Sequence, residues 1–198
     1  MQKIQLFSQY DAAALFLKTT NELEDQVSVW PEDFLRDEEL EQHISSLKET
    51  IRLQLPEIDF SSGRQIVVDR ILPLSEFQPG MRRGVNVRVS VLVYKYLLRE
   101  SGYLLGCRPP ISIPEPVGQW YTDQSNQELY VEYEQYARQP KKAITMHQQY
   151  VPFLQQAHQA LKGEFEEFNN SLESIIRGIV GKRKVDADQI RRMRMMLS

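Results

Sequence analysis

The sequence predicts an α+β fold with N-terminal helices, a central, mostly antiparallel sheet and a long C-terminal heptad-patterned helix. Three observations favour this order. Apolar residues follow a helical spacing in the first third of the chain, alternate in the middle, and recur every seven residues in the last third. A chain of 198 residues, 41% of them hydrophobic, can bury a core without disulfides or a structural metal, so residues 1–181 are expected to form a single domain.

The predicted N-terminal helices span residues 8–25 and 31–55. Ser8, which is followed by an aspartate three residues later, is typical of a helix N-cap. Pro31 suits the first position of the second helix, and Pro56 ends it because proline lacks a backbone N–H. Both apolar stripes have the width of an ordinary core-facing helix, so neither indicates a function.

The predicted sheet covers residues 61–136, and its clearest strand carries five alternate valines, Val85, Val87, Val89, Val91 and Val93. Alternate side chains of a strand point to opposite faces, so the valines share one face and polar residues share the other. From Leu92 onward both faces become apolar, through Tyr94 and Tyr96, which predicts that this half is covered on both sides. We expect the strand to supply a core face and an edge open to another protein's strand.

Residues 127–136 admit two interpretations. Their alternation predicts a strand that forms a hairpin with residues 118–122, whereas Leu129, Tyr133 and Tyr136 also have helical spacing. The region is rich in aromatic residues, Trp120, Tyr121, Tyr130, Tyr133 and Tyr136, set among glutamates that would repel a phosphate backbone. This combination favours a core or a protein interface over the stacking of nucleic-acid bases.

A long helix is predicted at residues 151–180. One apolar set recurs every seven residues, at Val151, His158, Phe165, Leu172 and Ile179. A second set follows three residues later, at Leu154, Leu161, Phe168 and Ile175. Such a seam packs along another helix. Either it packs on the N-terminal helices of the same chain, or it binds a partner through Phe165, Leu172 and Ile179.

Residues 182–198 are predicted to be a basic, Met-rich docking peptide that follows a break at Gly181. Residues 182–194 contain six cations and two aspartates, in a chain whose net charge is −3. Ile190, Met193 and Leu197 share one side of a short predicted helix. A helix of about ten residues is marginal alone, so it needs a surface to fold on, either a partner or the chain itself.

The same cations give an alternative partner, a nucleic acid. The candidate phosphate-binding residues are Arg82, Arg83, Lys182, Arg183, Lys184, Arg191, Arg192 and Arg194. The overall negative charge argues against broad, sequence-independent binding of this kind.

Catalytic and metal-binding patterns are missing from the sequence. His43, His147, His158 and Cys107 lack the spacing of metal ligands, and there is neither a Gly-rich phosphate loop nor a nucleophile elbow. Asp69 and Arg70 are interpreted as a solvated pair, and His158, on the heptad seam, as a hydrogen-bonded buried histidine. We therefore expect no enzyme, no cofactor and no metal.

The function that the sequence favours is a non-enzymatic structural or adaptor subunit of a larger assembly, such as a virion or tail, a secretion machine or a regulatory complex. Its partners would be other protein subunits, including a second copy of the chain. The sequence has no run of apolar residues long enough to span a membrane and no signal-peptide core at its start, and it has one cysteine. These features predict a protein of the cytoplasm, or of a particle assembled there.

Overall fold

A computed structural model gives the fold and describes residues 3–35, 38–74, 84–100, 102–114, 117–123 and 127–197. The helices are α1 (Ala12–Ser28), α2 (Leu40–Ile51) and α3 (Pro140–Leu197). The strands are β1 (Lys3–Gln5), β2 (Glu57–Pro73), β3 (Asn86–Arg99), β4 (Gln119–Asp123) and β5 (Glu128–Glu132). This element order confirms the predicted fold class.

The chain forms two compact units. The first contains Met1–Tyr10 and Leu55–Lys162, which hold all five strands and the start of α3. The second contains Asp11–Gln54 and Gly163–Ser198, which hold α1, α2 and the remainder of α3. The sequence had suggested a single boundary, after residue 181.

The sheet is antiparallel throughout, with the strand order β1-β4-β5-β3-β2. The valine strand, β3, pairs with β2 along its length and also with β5 from Val93 to Leu97. It is therefore an inner strand there, and the long outer edge of the sheet belongs to β2. The predicted open edge is therefore excluded for Val93 to Leu97, whereas the earlier part of β3 has a described strand partner only on the β2 side.

The two faces of β3 are covered as the sequence predicts. Val89, Val91 and Val93 are buried in a cluster with Leu72, which faces the same side from β2. Tyr94, Tyr96 and Leu98 are buried on the opposite face. The second half of β3 is thus a core strand on both sides.

The ambiguous segment contains both a strand and a turn. Residues 128–132 form β5, which pairs with β4, and Glu134–Tyr136 form a single turn of 3₁₀ helix. The sheet also extends beyond the predicted 61–136, because β2 begins at Glu57 and β1 adds an N-terminal edge strand. Three residues are too few for β1 to give a periodic signal.

The N-terminal helices are shorter than predicted. The Ala13 backbone N–H donates to Oδ1 of Asp11 at 2.9 Å, so Asp11, rather than Ser8, caps α1. The predicted helix 31–55 is reduced to α2, because residues 31–35 form turns and the chain beyond Ile51 is extended.

A side chain of α3 explains where α2 ends. The Leu53 backbone N–H donates to Oδ1 of Asn169 at 3.0 Å, and Asn169 Nδ2 donates to the Leu53 carbonyl at 2.7 Å. This amide takes both hydrogen-bonding groups of Leu53, so the backbone no longer needs a helical partner there. A contact across 116 residues of sequence thus overrides the local helical pattern.

The long helix extends beyond the predicted 151–180 at both ends. It begins at Pro140 and contains Pro152, whose missing N–H leaves one carbonyl of the preceding turn without its usual donor. It also continues through Gly181 to Leu197, so the predicted break there is wrong. A glycine inside a helix costs only about 1 kcal/mol relative to alanine. Ala187, buried against the core of the second unit, helps to hold the helix beyond it.

The seam of α3 packs within its own chain. Leu172 and Ile179 belong to the core of the second unit, together with Leu23 and Val27 of α1 and Ile44 of α2. The ring of Phe16 on α1 stacks on Phe168 with centroids 4.4 Å apart and meets Phe165 edge-on at 5.2 Å. From Phe165 to Ile179 the seam therefore packs on the N-terminal helices, as one of the two interpretations has it, whereas its first half, from Val151 to Leu161, belongs to the first unit.

We expect Leu172→Ala to lower the free energy of unfolding by about 2–5 kcal/mol, because the truncation leaves a cavity in a fully buried site. Leu17→Ala, at a site that is 62% exposed, is the control and should change the free energy by less than about 0.5 kcal/mol. Urea unfolding followed by circular dichroism measures both. Equal effects of the two substitutions would contradict the packing described for α3.

Candidate protein-interaction site and the histidine cluster

The C-terminal end of α3 exposes apolar side chains. Ile190, Met193 and Leu197, which we call the C-terminal stripe, are 37%, 56% and 89% exposed. Their spacing of three and four residues aligns them on one side of the helix. Met196 lies beside them and is 83% exposed. The stripe is the predicted partner-binding surface that the fold leaves accessible.

The other predicted partner-binding residues are not accessible. Phe165, Leu172 and Ile179 are buried in the second unit. Of the six predicted partner-binding residues, the three on the seam form a core, and the three of the C-terminal stripe are available to a partner.

The predicted basic residues are distributed around the same end of α3. Arg183, Arg191 and Arg194 follow the spacing of the buried Ala187, so they flank the packed side of the helix. Lys182 lies 3.9 Å from a carboxylate oxygen of Glu24. Part of this basic surface therefore lies against residues of the same chain.

Two other contacts involve this basic group. Arg194 lies 3.9 Å from a carboxylate oxygen of Glu32, and Lys184 lines a small cavity with Glu32, Leu35 and Asp188. Arg192 is exposed. Arg82 and Arg83, the remaining two candidate phosphate-binding residues, lie outside the described residues.

His147, on α3, lies at the centre of an aromatic cluster in the first unit. Its Nε2 is 2.6 Å from the hydroxyl oxygen of Tyr96, and its Nδ1 is 2.8 Å from that of Tyr133. The imidazole stacks on Tyr94 with ring centroids 3.4 Å apart, and it lies nearly parallel to Trp120 at 5.8 Å. We call these five residues the histidine cluster.

The strand register brings the cluster together. Tyr94 and Tyr96 are two residues apart on β3, so their side chains share a face of the sheet. Val131 of β5 is opposite Tyr94 on one side and Trp120 on the other, which puts Trp120 on that face too. The sheet therefore presents three aromatic rings to His147.

Burial controls the ionisation of this cluster. It lowers the pKa of His147 to about 4, because the charged imidazolium would lose its water. It raises the pKa of Tyr96 to about 12, and it also raises the pKa of Tyr133. At neutral pH the histidine and both phenols are therefore uncharged.

His158 is buried and hydrogen-bonded, as the sequence predicts. Its Nε2 is 2.8 Å from the carbonyl oxygen of Pro56, and burial lowers its pKa. The role is structural, since the side chain fixes the chain that leads into β2.

Asp69 and Arg70 do not form the solvated pair that the sequence suggested. Adjacent residues of a strand face opposite sides. Asp69 accepts hydrogen bonds from Arg88 and Ser90, at 3.0 Å each. Arg70 donates to the buried carboxylate of Glu132 at 2.7 Å, from the other face of the sheet.

Glu132 is the centre of a second polar group. Besides Arg70, its carboxylate accepts a hydrogen bond from the hydroxyl of Tyr121, whose ring stacks on Tyr130 with centroids 5.3 Å apart. Burial, followed by the hydrogen bond to Glu132, raises the pKa of Tyr121. The aromatic residues predicted as one group are thus divided between the two faces of the sheet.

Sequence reasoning missed the role of His147. The predicted helix begins at residue 151 because Val151 is the first residue of the predicted heptad pattern. His147 lies one heptad before Leu154, so extending the repeat backwards would have shown it on the same side of the helix. Its tyrosine partners come from other elements, which no local pattern reveals.

Over the described ranges, no group of three or more His, Cys, Asp or Glu side chains is arranged to hold a metal ion. Within the same residues, no helix combines the length and the apolar character that crossing a membrane requires. Comparisons of the chain with protein-family models, curated proteins and solved structures found no match.

The buried His147 should make stability depend on pH. The unfolded chain protonates this histidine near its ordinary pKa of 6.5, whereas the folded protein does so only near 4. The unfolded state therefore binds more protons between these values, and stability that is complete above pH 6.5 is lost as the pH falls towards 4. The loss attributable to His147 is at most about 3 kcal/mol.

Urea unfolding between pH 7 and pH 4.5 measures this loss. His147→Gln should show a flatter dependence on pH than the unsubstituted protein. Gln155→Ala, at an exposed position of the same helix, is the control, since it removes no titrating group and keeps the contributions of both buried histidines. Equal slopes for His147→Gln and the unsubstituted protein would contradict the burial of a neutral imidazole.

Proposed function

We propose that the chain is a non-enzymatic structural or adaptor subunit that docks the C-terminal stripe into an apolar groove of another protein subunit. The observation that carries this proposal is the exposure of Ile190, Met193 and Leu197 on one side of a helix. Amphipathic helices bind grooves through anchors at this spacing. Methionine suits such a surface because its flexible thioether fills irregular space.

The charge around the stripe supports a partner with an acidic rim. Arg194 follows Met193 directly, and Arg191 and Arg192 follow Ile190. Cations beside an apolar anchor speed association with a negatively charged surface and penalise a basic one. The partner class is therefore a protein that offers an apolar groove bordered by carboxylates.

A nucleic acid is the second candidate, favoured by the exposed Arg191 and Arg192. It is the weaker one, because Lys182 and Arg194 already lie near glutamates of the same chain. Fluorescence anisotropy with labelled duplex DNA, repeated at increasing salt, tests it. Binding that falls steeply with salt would favour the nucleic acid, since phosphate contacts release counterions.

The docking proposal predicts that the triple variant Ile190→Gln, Met193→Gln, Leu197→Gln loses its complexes and keeps its melting midpoint. Light scattering measures self-association, and affinity capture followed by mass spectrometry identifies other subunits. Val29→Gln, at a site that is 79% exposed on the second unit, is the matched control and should keep every complex. A triple variant that retains all partners of the unsubstituted protein would refute the proposal.

A further inference from the structure

A groove opens beside the histidine cluster, within the first unit. It has a volume of about 340 Å³, which lies in the range of small-molecule sites. Its described lining consists of Phe60, Ser61, Gly63, Tyr94, Tyr96, His147, Gln148, Val151 and Pro152. Aromatic and aliphatic surfaces form most of this lining, and its polar groups are hydroxyl, amide and imidazole.

The hydrogen-bond donors and acceptors of the histidine cluster determine which group is left to bind a ligand in the groove. A neutral imidazole has one N–H donor and one acceptor nitrogen, yet both nitrogens of His147 contact a phenol. One tyrosine therefore donates its proton to His147. The other accepts the imidazole N–H, and its own proton needs a different acceptor.

The burial of Tyr133 indicates which of the two tyrosines donates its proton to His147. Tyr133 is 0% exposed, and no second acceptor for its hydroxyl occurs among the described residues. Leaving its proton unpaired would cost about 1–3 kcal/mol, so Tyr133 donates to Nδ1 and the imidazole proton is on Nε2. Tyr96, which is 4% exposed, then accepts from Nε2–H, and because it lines the groove whereas Tyr133 does not, its own hydroxyl proton is left for an acceptor in the groove.

The donor is held in a fixed position. The Tyr94 ring stacks on the imidazole, and the Tyr94 hydroxyl accepts a hydrogen bond from Gln65 Nε2 at 2.8 Å. On the other side, a Cβ at Gly63 would lie 2.8 Å from the Tyr96 ring, so the backbone closely confines that ring. A buried, oriented donor beside an open apolar groove is a built recognition feature.

We propose that this groove binds a small, uncharged aromatic molecule whose carbonyl oxygen accepts the hydroxyl proton of Tyr96. The described lining gives a charged ligand no opposite charge to replace its lost water. Phe60 and the apolar faces of Val151 and Pro152 suit a flat ring. The proposal is independent of the docking function, because it concerns only residues of the first unit.

Benzamide is a suitable probe, because it combines one ring with one neutral carbonyl. Amide NMR shifts of Ser61, Gly63 and Gln148 in the full chain should saturate with a Kd on the order of 1 mM, as expected for a molecule of this size. Benzoate and benzylamine, which are charged, and toluene, which has no acceptor, should bind at least about tenfold more weakly, a difference of about 1.4 kcal/mol.

Tyr96→Phe should weaken benzamide binding at least about tenfold and leave toluene unchanged, because it removes one donor and keeps the ring. Tyr130→Phe is the matched control, since Tyr130 lies on the opposite face of the sheet and should leave benzamide binding unaltered. The absence of saturable shifts, stronger binding of benzoate, or an unaffected Tyr96→Phe variant would each overturn the proposal.

If Tyr96→Phe does not fold, the tautomer of His147 decides instead. Imidazole ¹⁵N shifts of the unsubstituted protein should show the proton on Nε2, together with the preference for benzamide over toluene. A proton on Nδ1 would make Tyr96 the donor to His147, and the groove would then lack the donor that the proposal requires.

Discussion

The packing of the apolar side of α3 is the interaction on which both compact units depend. In the first unit it brings His147 onto three aromatic side chains of the sheet, and Tyr150 onto Trp120. In the second unit it supplies Leu172 and Ile176 to the core formed with α1 and α2. Each buried residue of this kind contributes about 1.5–3 kcal/mol, so neither unit could lose this side of α3 and keep its core.

The two functional proposals concern the places where the packing of α3 becomes polar and where it ends. In the first unit the helix meets the sheet through an imidazole and hydroxyls rather than through hydrocarbon alone, and a polar contact of this kind leaves a proton to be placed. At the C-terminal end, Ala187 is the last buried residue of α3, and the apolar residues that follow it remain exposed. The groove beside the histidine cluster is thus proposed to offer the hydroxyl of Tyr96 as a donor, and the C-terminal end of α3 offers an exposed apolar stripe.

The sequence predicted the features of the fold that depend on the regular spacing of apolar residues. The valines of β3, the buried His158 and the long helix all follow from spacing along the chain, and the structure contains them. It could not predict what distant residues decide. Asn169 ends α2 by bonding to Leu53, and the tyrosines around His147 come from β3 and from the residue that follows β5. The predicted ends of α3 were also wrong, because the helix begins before the heptad pattern does and continues through Gly181.

The central claim is that packing holds α3 up to Ala187 and that the C-terminal stripe beyond it is available to a partner. Thermal unfolding of a chain truncated after residue 188, followed by circular dichroism, tests this most directly. The account predicts a melting midpoint within about 2 °C of the full chain, because the apolar side chains of the stripe are exposed and the contact of Arg194 with Glu32 is a weak surface one. A midpoint lower by several degrees would mean that the stripe packs on its own chain, and it would contradict the claim.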